Sequence, residues 1–428
     1  MNGGLTNFSG RFSRDVAWTL GTRVLMIVNS VAAGIIVAHW LGAKGVGELA
    51  VINVAVTTIV QLGSFGLPSS NTYFIAQDRA HFRAATINSL LFATVIGSVL
   101  AVALSVVASL REDWFGFVPT NLIHIASVQI PFLLLTLIGL NILLALGKLR
   151  EFNLLDLLSQ SFVLINALLI LIVLGQGFDA LVKLNTVTSV LVSIVVVVLL
   201  IAGGKKLVDS KWRADAALLR RMITYGLKFH ISVLAGAIIF RADLLVLNHF
   251  RGAAEAGVYS VATQFGMLLM LLPSVIATLL FPRVTAEQDA HGETTWQVTK
   301  HTAVIMLVCC LATVPVSFLL PLVYGAAFSD ATMLLLILLP GVYLIGLESV
   351  LVQHFNALGL PRAIPVYWLV TLIVNLVLVF ALVPQFGAYG AAIASTVSYA
   401  LIFALVGFYF LATTRRSVMA TARGSLRG

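Results

Sequence analysis

Long apolar runs broken by short polar connections dominate this chain. A helix needs about 20 mostly apolar residues to cross a bilayer. On that measure the pattern predicts twelve spans. Six lie near 16–40, 47–75, 87–110, 122–147, 153–175 and 180–203, and six near 223–250, 257–282, 300–325, 330–357, 364–384 and 388–412. The first run is too long for the apolar core of a signal peptide and lacks a cleavage site, so it reads as a span.

The pattern repeats itself. His39, Gly42, Ala43, Gly47 and Val51 return as His249, Gly252, Ala253, Gly257 and Val261. Ala145-Leu-Gly-Lys-Leu-Arg150 returns as Ala357-Leu-Gly-Leu-Pro-Arg362. Asn166, Gly175-Gln-Gly177 and Thr188-Ser189 are echoed by Asn375, Pro384-Gln-Phe-Gly387 and Val397-Ser398. Three echoes in one order, offset by about 210 residues, indicate a duplication. The expected domains are residues 1–212, an N-terminal six-helix lobe, and 213–428, a C-terminal six-helix lobe with a short basic tail. Six is even, so both halves enter from the same side as a parallel repeat.

Composition agrees with the pattern. The chain is 60% hydrophobic and 10% charged, against about a quarter charged in soluble domains. The class is therefore an all-α integral membrane protein. In that setting the net charge of +9 reflects basic loops rather than nucleic-acid binding. Those loops fix orientation. With a cytoplasmic N-terminus, Arg79, Arg83, Lys148, Arg150, Lys205, Lys206, Lys211, Arg213, Arg220, Arg221, Arg415 and Arg416 lie inside, as do both chain ends. The opposite connections carry only Lys44, Arg111 and Arg251. The longest connection, near 204–222, ends in Ala216-Ala-Leu-Leu-Arg-Arg-Met-Ile223, which reads either as an interfacial helix or as a solvated linker.

Charges inside the spans are expensive and so informative. Arg23 shares a face with Thr19, Met26, Ser30 and Gly34, and Arg241 one with His230, Ala237 and Asn248. Span two carries Asn53, Thr57, Gln61, Ser64 and Pro68 as a stripe, and span eight Tyr259, Thr263, Gly266 and Pro273. Interhelical hydrogen bonding explains neutral stripes. For the arginines both structural ion pairing and a water-filled cavity stay open, with the cavity favoured. Asp243 cannot share a face with Arg241 but is free to pair with another helix. A guanidinium in a cavity suits phosphate, which it binds bidentately at any relevant pH. Asp156 and Glu348 are the conspicuous intramembrane acids, candidates for ion coupling or for neutralising an arginine. His39 and His249 fit interfacial hydrogen bonding. Cys309 and Cys310 are adjacent in a span and imply neither disulfide nor metal. No phosphate loop, H-E-x-x-H or cysteine metal spacing occurs, so neither catalytic residues, metal nor cofactor is expected.

Several motifs carry a family resemblance. Leu41-Gly-Ala-Lys-Gly-Val-Gly47, Leu218-Leu-Arg-Arg-Met-Ile-Thr-Tyr-Gly226, Arg241-Ala-Asp243, Ala256-Gly-Val-Tyr-Ser260, Leu280-Phe-Pro-Arg283 and Gly387-Ala-Tyr-Gly-Ala-Ala-Ile-Ala-Ser-Thr396 resemble polysaccharide flippases of the multidrug/oligosaccharidyl-lipid/polysaccharide (MOP) superfamily. The resemblance implies two six-helix lobes around a central cavity, MATE-like, with alternating access. It implies flipping of undecaprenyl-pyrophosphate-linked oligosaccharide across a bacterial inner membrane for surface polysaccharide. Arg23 and Arg241 would then grip the pyrophosphate, and Asn53 and Gln61 the sugars. The expected partners are the lipid-linked oligosaccharide, membrane lipids, a polysaccharide polymerase and a chain-length regulator.

The alternatives are a MATE-like multidrug or cation antiporter, for which Asp156 is the candidate acid, and an O-antigen polymerase or ligase. The latter would need a large outer loop that is missing here. A lipid II flippase would be expected to have fourteen spans. Asp78-Arg-Ala-His-Phe-Arg83 lacks a glycine and an arginine of the major-facilitator loop.

Overall fold

A computed structural model of the chain describes residues 3–115, 118–204, 212–287, 289, 291–358 and 361–425. Lys205, Lys206 and Lys211 of the basic linker and Arg427 of the tail lie outside the described residues. Among the described residues every regular element is helical. Ten segments of the described residues are long and apolar enough to cross a membrane. The two longest, Trp18–Gly63 and Ala363–Thr414, have 46 and 52 residues. At 1.5 Å per residue each exceeds roughly twice a hydrocarbon core of about 30 Å. Both contain a glycine in a non-helical conformation, Gly42 and Gly387. Dividing each there is compatible with the twelve expected spans.

Gly42 explains why the repeat is visible at that junction. It has φ 66° and ψ −174°, and its counterpart Gly252 has φ 87° and ψ 173°. That combination is essentially closed to residues with a Cβ. The same reversal of direction is therefore built with the same residue at matching places.

By contact the chain divides into two units, Met1–His230 and Ile231–Gly428. The first contains α1 (Gly3–Gly63), α2 (Leu67–Gln77), α3 (Phe82–Leu110), α4 (Thr120–Ser127), α5 (Gln129–Ala145), α6 (Leu149–Ala167, continued by a π-helical turn Leu168–Val173) and α7 (Phe178–Gly204). Its core includes Leu134, Ile138, Ile142 and Val196. Small residues set the helix spacing: a Cβ on Gly97 would lie 2.5 Å from the Pro131 Cα, so α3 and α5 approach backbone to backbone.

The helix that follows, α8 (Ala216–Ile239), straddles the division. The segment expected as an interfacial helix or linker is its first two turns, and it packs on the first unit. Asn88 donates to the Asp215 carbonyl at 2.7 Å and accepts from the Asp215 amide at 3.0 Å. Ser70 donates to the Met222 carbonyl at 2.6 Å. A Cβ on Gly66 would sit 2.4 Å from the Gly226 carbonyl oxygen. The division by contact falls inside α8.

The second unit holds the end of α8, α9 (Ala242–Arg251), α10 (Ala253–Leu269), α11 (Leu271–Glu287), α12 (Glu293–Ser317), α13 (Leu320–Tyr324), α14 (Ser329–Leu358) and α15 (Ala363–Ser425). Ile345, Leu351 and Phe355 of α14 join Tyr399, Ile402, Val406 and Phe410 of α15 and Ile239 of α8 in one apolar cluster.

Candidate functional site

Two spans expected to be continuous are broken. Between α1 and α2 the chain turns through Ser64, Phe65 and Gly66, with φ 47° at Phe65 and 72° at Gly66. Between α8 and α9 it turns through Phe240 and Arg241, where Arg241 has φ −137° and ψ −23°. The Arg241 amide bonds the Ile238 carbonyl at 3.0 Å, a tightened final turn. Unwound backbone at membrane depth is tolerated where it is buried in protein or lines a wet cavity. Arg241 is half-buried, and among the described residues its guanidinium has no hydrogen-bond or ion-pair partner.

The next turn is anchored firmly. Asp243 is 2% exposed. It accepts from the Tyr259 hydroxyl of α10, from the Ser395 hydroxyl of α15 at 2.7 Å and from the Leu244 amide at 2.7 Å. Tyr259 and Ser395 are fully buried. A carboxylate needs such donors to be tolerated away from water. At the far end of α9, Arg251 donates to the Gln385 carbonyl at 3.0 Å and Glu255 accepts from the Ala388 amide at 2.6 Å. Both ends of α9 are thus tied to α15, and Arg241 sits beside the first tie. The intramembrane position of Asp243 pointed to a partner on another helix; that the partners are Tyr259 and Ser395 was not legible.

In the first unit, Arg23 and Asp156 come together, Nη1 to Oδ2 at 3.0 Å, with side chains 39% and 18% exposed. The pair is one rung of a polar ladder. Asn153 donates to the Thr19 hydroxyl at 2.8 Å, and Asn29 to the Ser161 hydroxyl at 2.8 Å. The polar stripe of span one is therefore turned largely onto α6. Arg23 is both partnered and accessible.

Asn53 and Gln61 lie two turns apart on one face of α1, with Asn53 exposed and Gln61 half-buried. Neither side chain makes a hydrogen bond among the described residues. Glu348 differs from both arginines. It is 2% exposed and its Oε1 has no hydrogen-bond partner among the described residues. Helical spacing puts it on the α14 face that also carries Ile345, Leu351 and Phe355 of the apolar cluster. A charge so enclosed is costly unless neutralised or paired. Among the described residues no group of three or more His, Cys, Asp or Glu is arranged to hold a metal.

A family model described as polysaccharide biosynthesis protein matches residues 14–288. The chain is 22% identical over 213 residues to a probable low-salt glycan biosynthesis flippase, Agl15, from Haloferax volcanii, covering 48% of this chain and 45% of that protein. It is 28% identical over 167 residues to a probable flippase, AglR, from the same organism, covering 37% and 35%. The chain thus spans less than half the length of these curated relatives. A solved structure of the lipid II flippase MurJ, inward closed, superposes with TM-score 0.76 at 15% identity over 95% of this chain and 90% of that one. An inward-facing multidrug resistance MATE family transporter of the MOP superfamily superposes with TM-score 0.72 at 16% identity over 94% and 99%. At these identities the two structures establish the fold.

Proposed function

The chain belongs to the polysaccharide biosynthesis protein family, and from that membership we propose that it is a flippase for lipid-linked oligosaccharide. The proposed cargo is an undecaprenyl-diphosphate-linked repeat unit, moved across a bacterial inner membrane with both chain termini cytoplasmic. Relatives named as probable flippases, one of them for glycan biosynthesis, support the activity; they are archaeal, so the bacterial carrier lipid is this reading's own.

The observation that carries the proposal is Arg241, at a helix break inside a span, whose guanidinium has no partner among the described residues. A fixed cation there costs several kcal/mol, a cost that makes sense where an anion arrives to be held. In the proposed cycle Arg23 and Arg241 hold the diphosphate bidentately. Asp156 occupies Arg23 when no cargo is present, and the incoming diphosphate displaces it. Asn53 and Gln61 have spare donors and acceptors for sugar hydroxyls. Asp156 and Glu348 are the proposed coupling acids, since each changes its demand for a proton or cation if its surroundings change. The two repeats rock between inward and outward access, and a polymerase and chain-length regulator take over the exported units.

A MATE-like drug exporter shares the fold, but guanidiniums in the proposed role would repel cationic drugs. Deleting the gene discriminates the readings. A flippase leaves lipid-linked oligosaccharide trapped on the cytoplasmic leaflet. Loss of a polymerase leaves single translocated units at the surface. Loss of a drug exporter changes antibiotic tolerance and spares surface glycan.

A further inference from the structure

A pair of exposed arginines, Arg220 and Arg221, lies beside two tyrosines in the first unit. The end of α2 and the start of α8 flank an open groove of about 630 Å³. Arg220, Arg221, Gln77 and Thr224 line it and are exposed, with Tyr73 and Tyr225 as an aromatic wall. The two tyrosine rings stack at 4.3 Å and 17°. The Gln77 amide donates to the Tyr73 hydroxyl at 3.3 Å. Arg221 lies over the Phe74 ring at 5.2 Å, which fixes its guanidinium.

Donors crowd this groove and no carboxylate lines it. Of the acids nearest in sequence, Asp78 accepts from the Ala80 amide at 2.8 Å and Asp215 from the Leu218 amide at 2.9 Å. Neither Arg220 nor Arg221 has an ion-pair partner among the described residues. Consecutive helical residues point about 100° apart, so the two guanidiniums reach the groove from different sides. The floor is rigid, because the Gly66–Gly226 approach and the Ser70–Met222 bond lock α8 onto α2.

We propose that this groove captures the diphosphate headgroup of the lipid-linked cargo on the cytoplasmic leaflet, before it reaches Arg23 and Arg241. This rests on the flippase reading and on the orientation given by loop charge. Two guanidinium forks suit two phosphates, and the tyrosine wall suits the adjoining sugar or prenyl unit. Interfacial tyrosines and basic residues also occur simply as membrane anchors, and a bulk anionic phospholipid offers a phosphate too. The test separates these.

The protein is purified into phosphatidylcholine nanodiscs and titrated with farnesyl diphosphate, in an R23Q/R241Q background that removes the span site. Binding should persist there and weaken at least tenfold on adding R220K/R221K. Lysine keeps the charge that sets topology but loses the fork, so an anchoring role would leave affinity unchanged. Tyr73→Leu should weaken binding as well, and it keeps the test decisive should the lysine variant fail to fold. Phosphatidylglycerol nanodiscs should compete poorly. Unchanged affinity in the variants, or equal competition by phosphatidylglycerol, overturns the capture site. Either failure leaves the flippase reading standing if glycan export still depends on the gene; intact binding without any export sinks that reading alone.

Discussion

Replacing Asp243 with alanine removes one acceptor group from three donors, the Tyr259 and Ser395 hydroxyls and the Leu244 amide. Both hydroxyls are sealed from water, so neither recovers a partner from solvent. They lie 3.5 Å apart and can bond each other only weakly. One hydroxyl hydrogen and the Leu244 amide are left stranded. At about 1–3 kcal/mol for each buried unsatisfied donor, the loss is roughly 2–6 kcal/mol. Tyr259→Phe removes one donor and leaves Asp243 two others, a loss of about 1 kcal/mol. At about 2.1 cal/mol/K of unfolding entropy per residue, a chain of 428 residues loses about 1 °C per kcal/mol. Thermal unfolding of the purified protein in detergent, followed by tryptophan fluorescence, should therefore show a drop of about 2–6 °C for D243A and about 1 °C for Y259F. Asp243 also holds the turn that presents Arg241, so D243A should lose glycan export in cells grown below its melting point. A D243A drop no larger than that of Y259F would refute the hydrogen-bonding account of this acid.

Other changes probe other joints. Gly66→Ala puts a Cβ 2.4 Å from the Gly226 carbonyl oxygen at φ +72°; folded, monodisperse protein should fall sharply on size-exclusion chromatography, and a normal profile would show that α8 is not locked there. Asp156→Asn breaks a partly exposed ion pair, so its stability cost should stay within about 1 kcal/mol. Arg23→Ala should reduce glycan display at unchanged protein level, and normal display on a surface-glycan blot would remove Arg23 from the transport path. Asn53→Leu with Gln61→Leu should leave the melting temperature within about 2 °C, since no bond to the described residues is lost, while reducing transport; unaffected transport removes both from the sugar path.

How much of this was legible follows from what hydropathy can report. Runs of about 20 apolar residues reveal spans, and the paired glycines Gly42 and Gly252 reveal the duplicated turn because only glycine fits it. The breaks at 64–66 and 240–241 were hidden, because their neighbours are as apolar as any other stretch. Hydropathy counts side chains and is blind to whether a backbone amide keeps its partner. The Arg23–Asp156 pair was visible only as two charges 133 positions apart, and topology alone brings them to 3.0 Å. The first turns of α8 carry a linker-like charge pattern. They dock on the first unit through Asn88, Ser70 and Gly226, contacts between short side chains and backbone that leave no periodic trace.

The most direct test of the proposed transport replaces Arg241 with alanine in cells whose own copy is deleted, and measures surface glycan alongside the leaflet distribution of its lipid-linked precursor. The proposed role of the guanidinium as a diphosphate holder predicts a membrane-inserted protein, bare cell surfaces and precursor retained on the cytoplasmic side. Wild-type glycan at the surface, with no retained precursor, would contradict it.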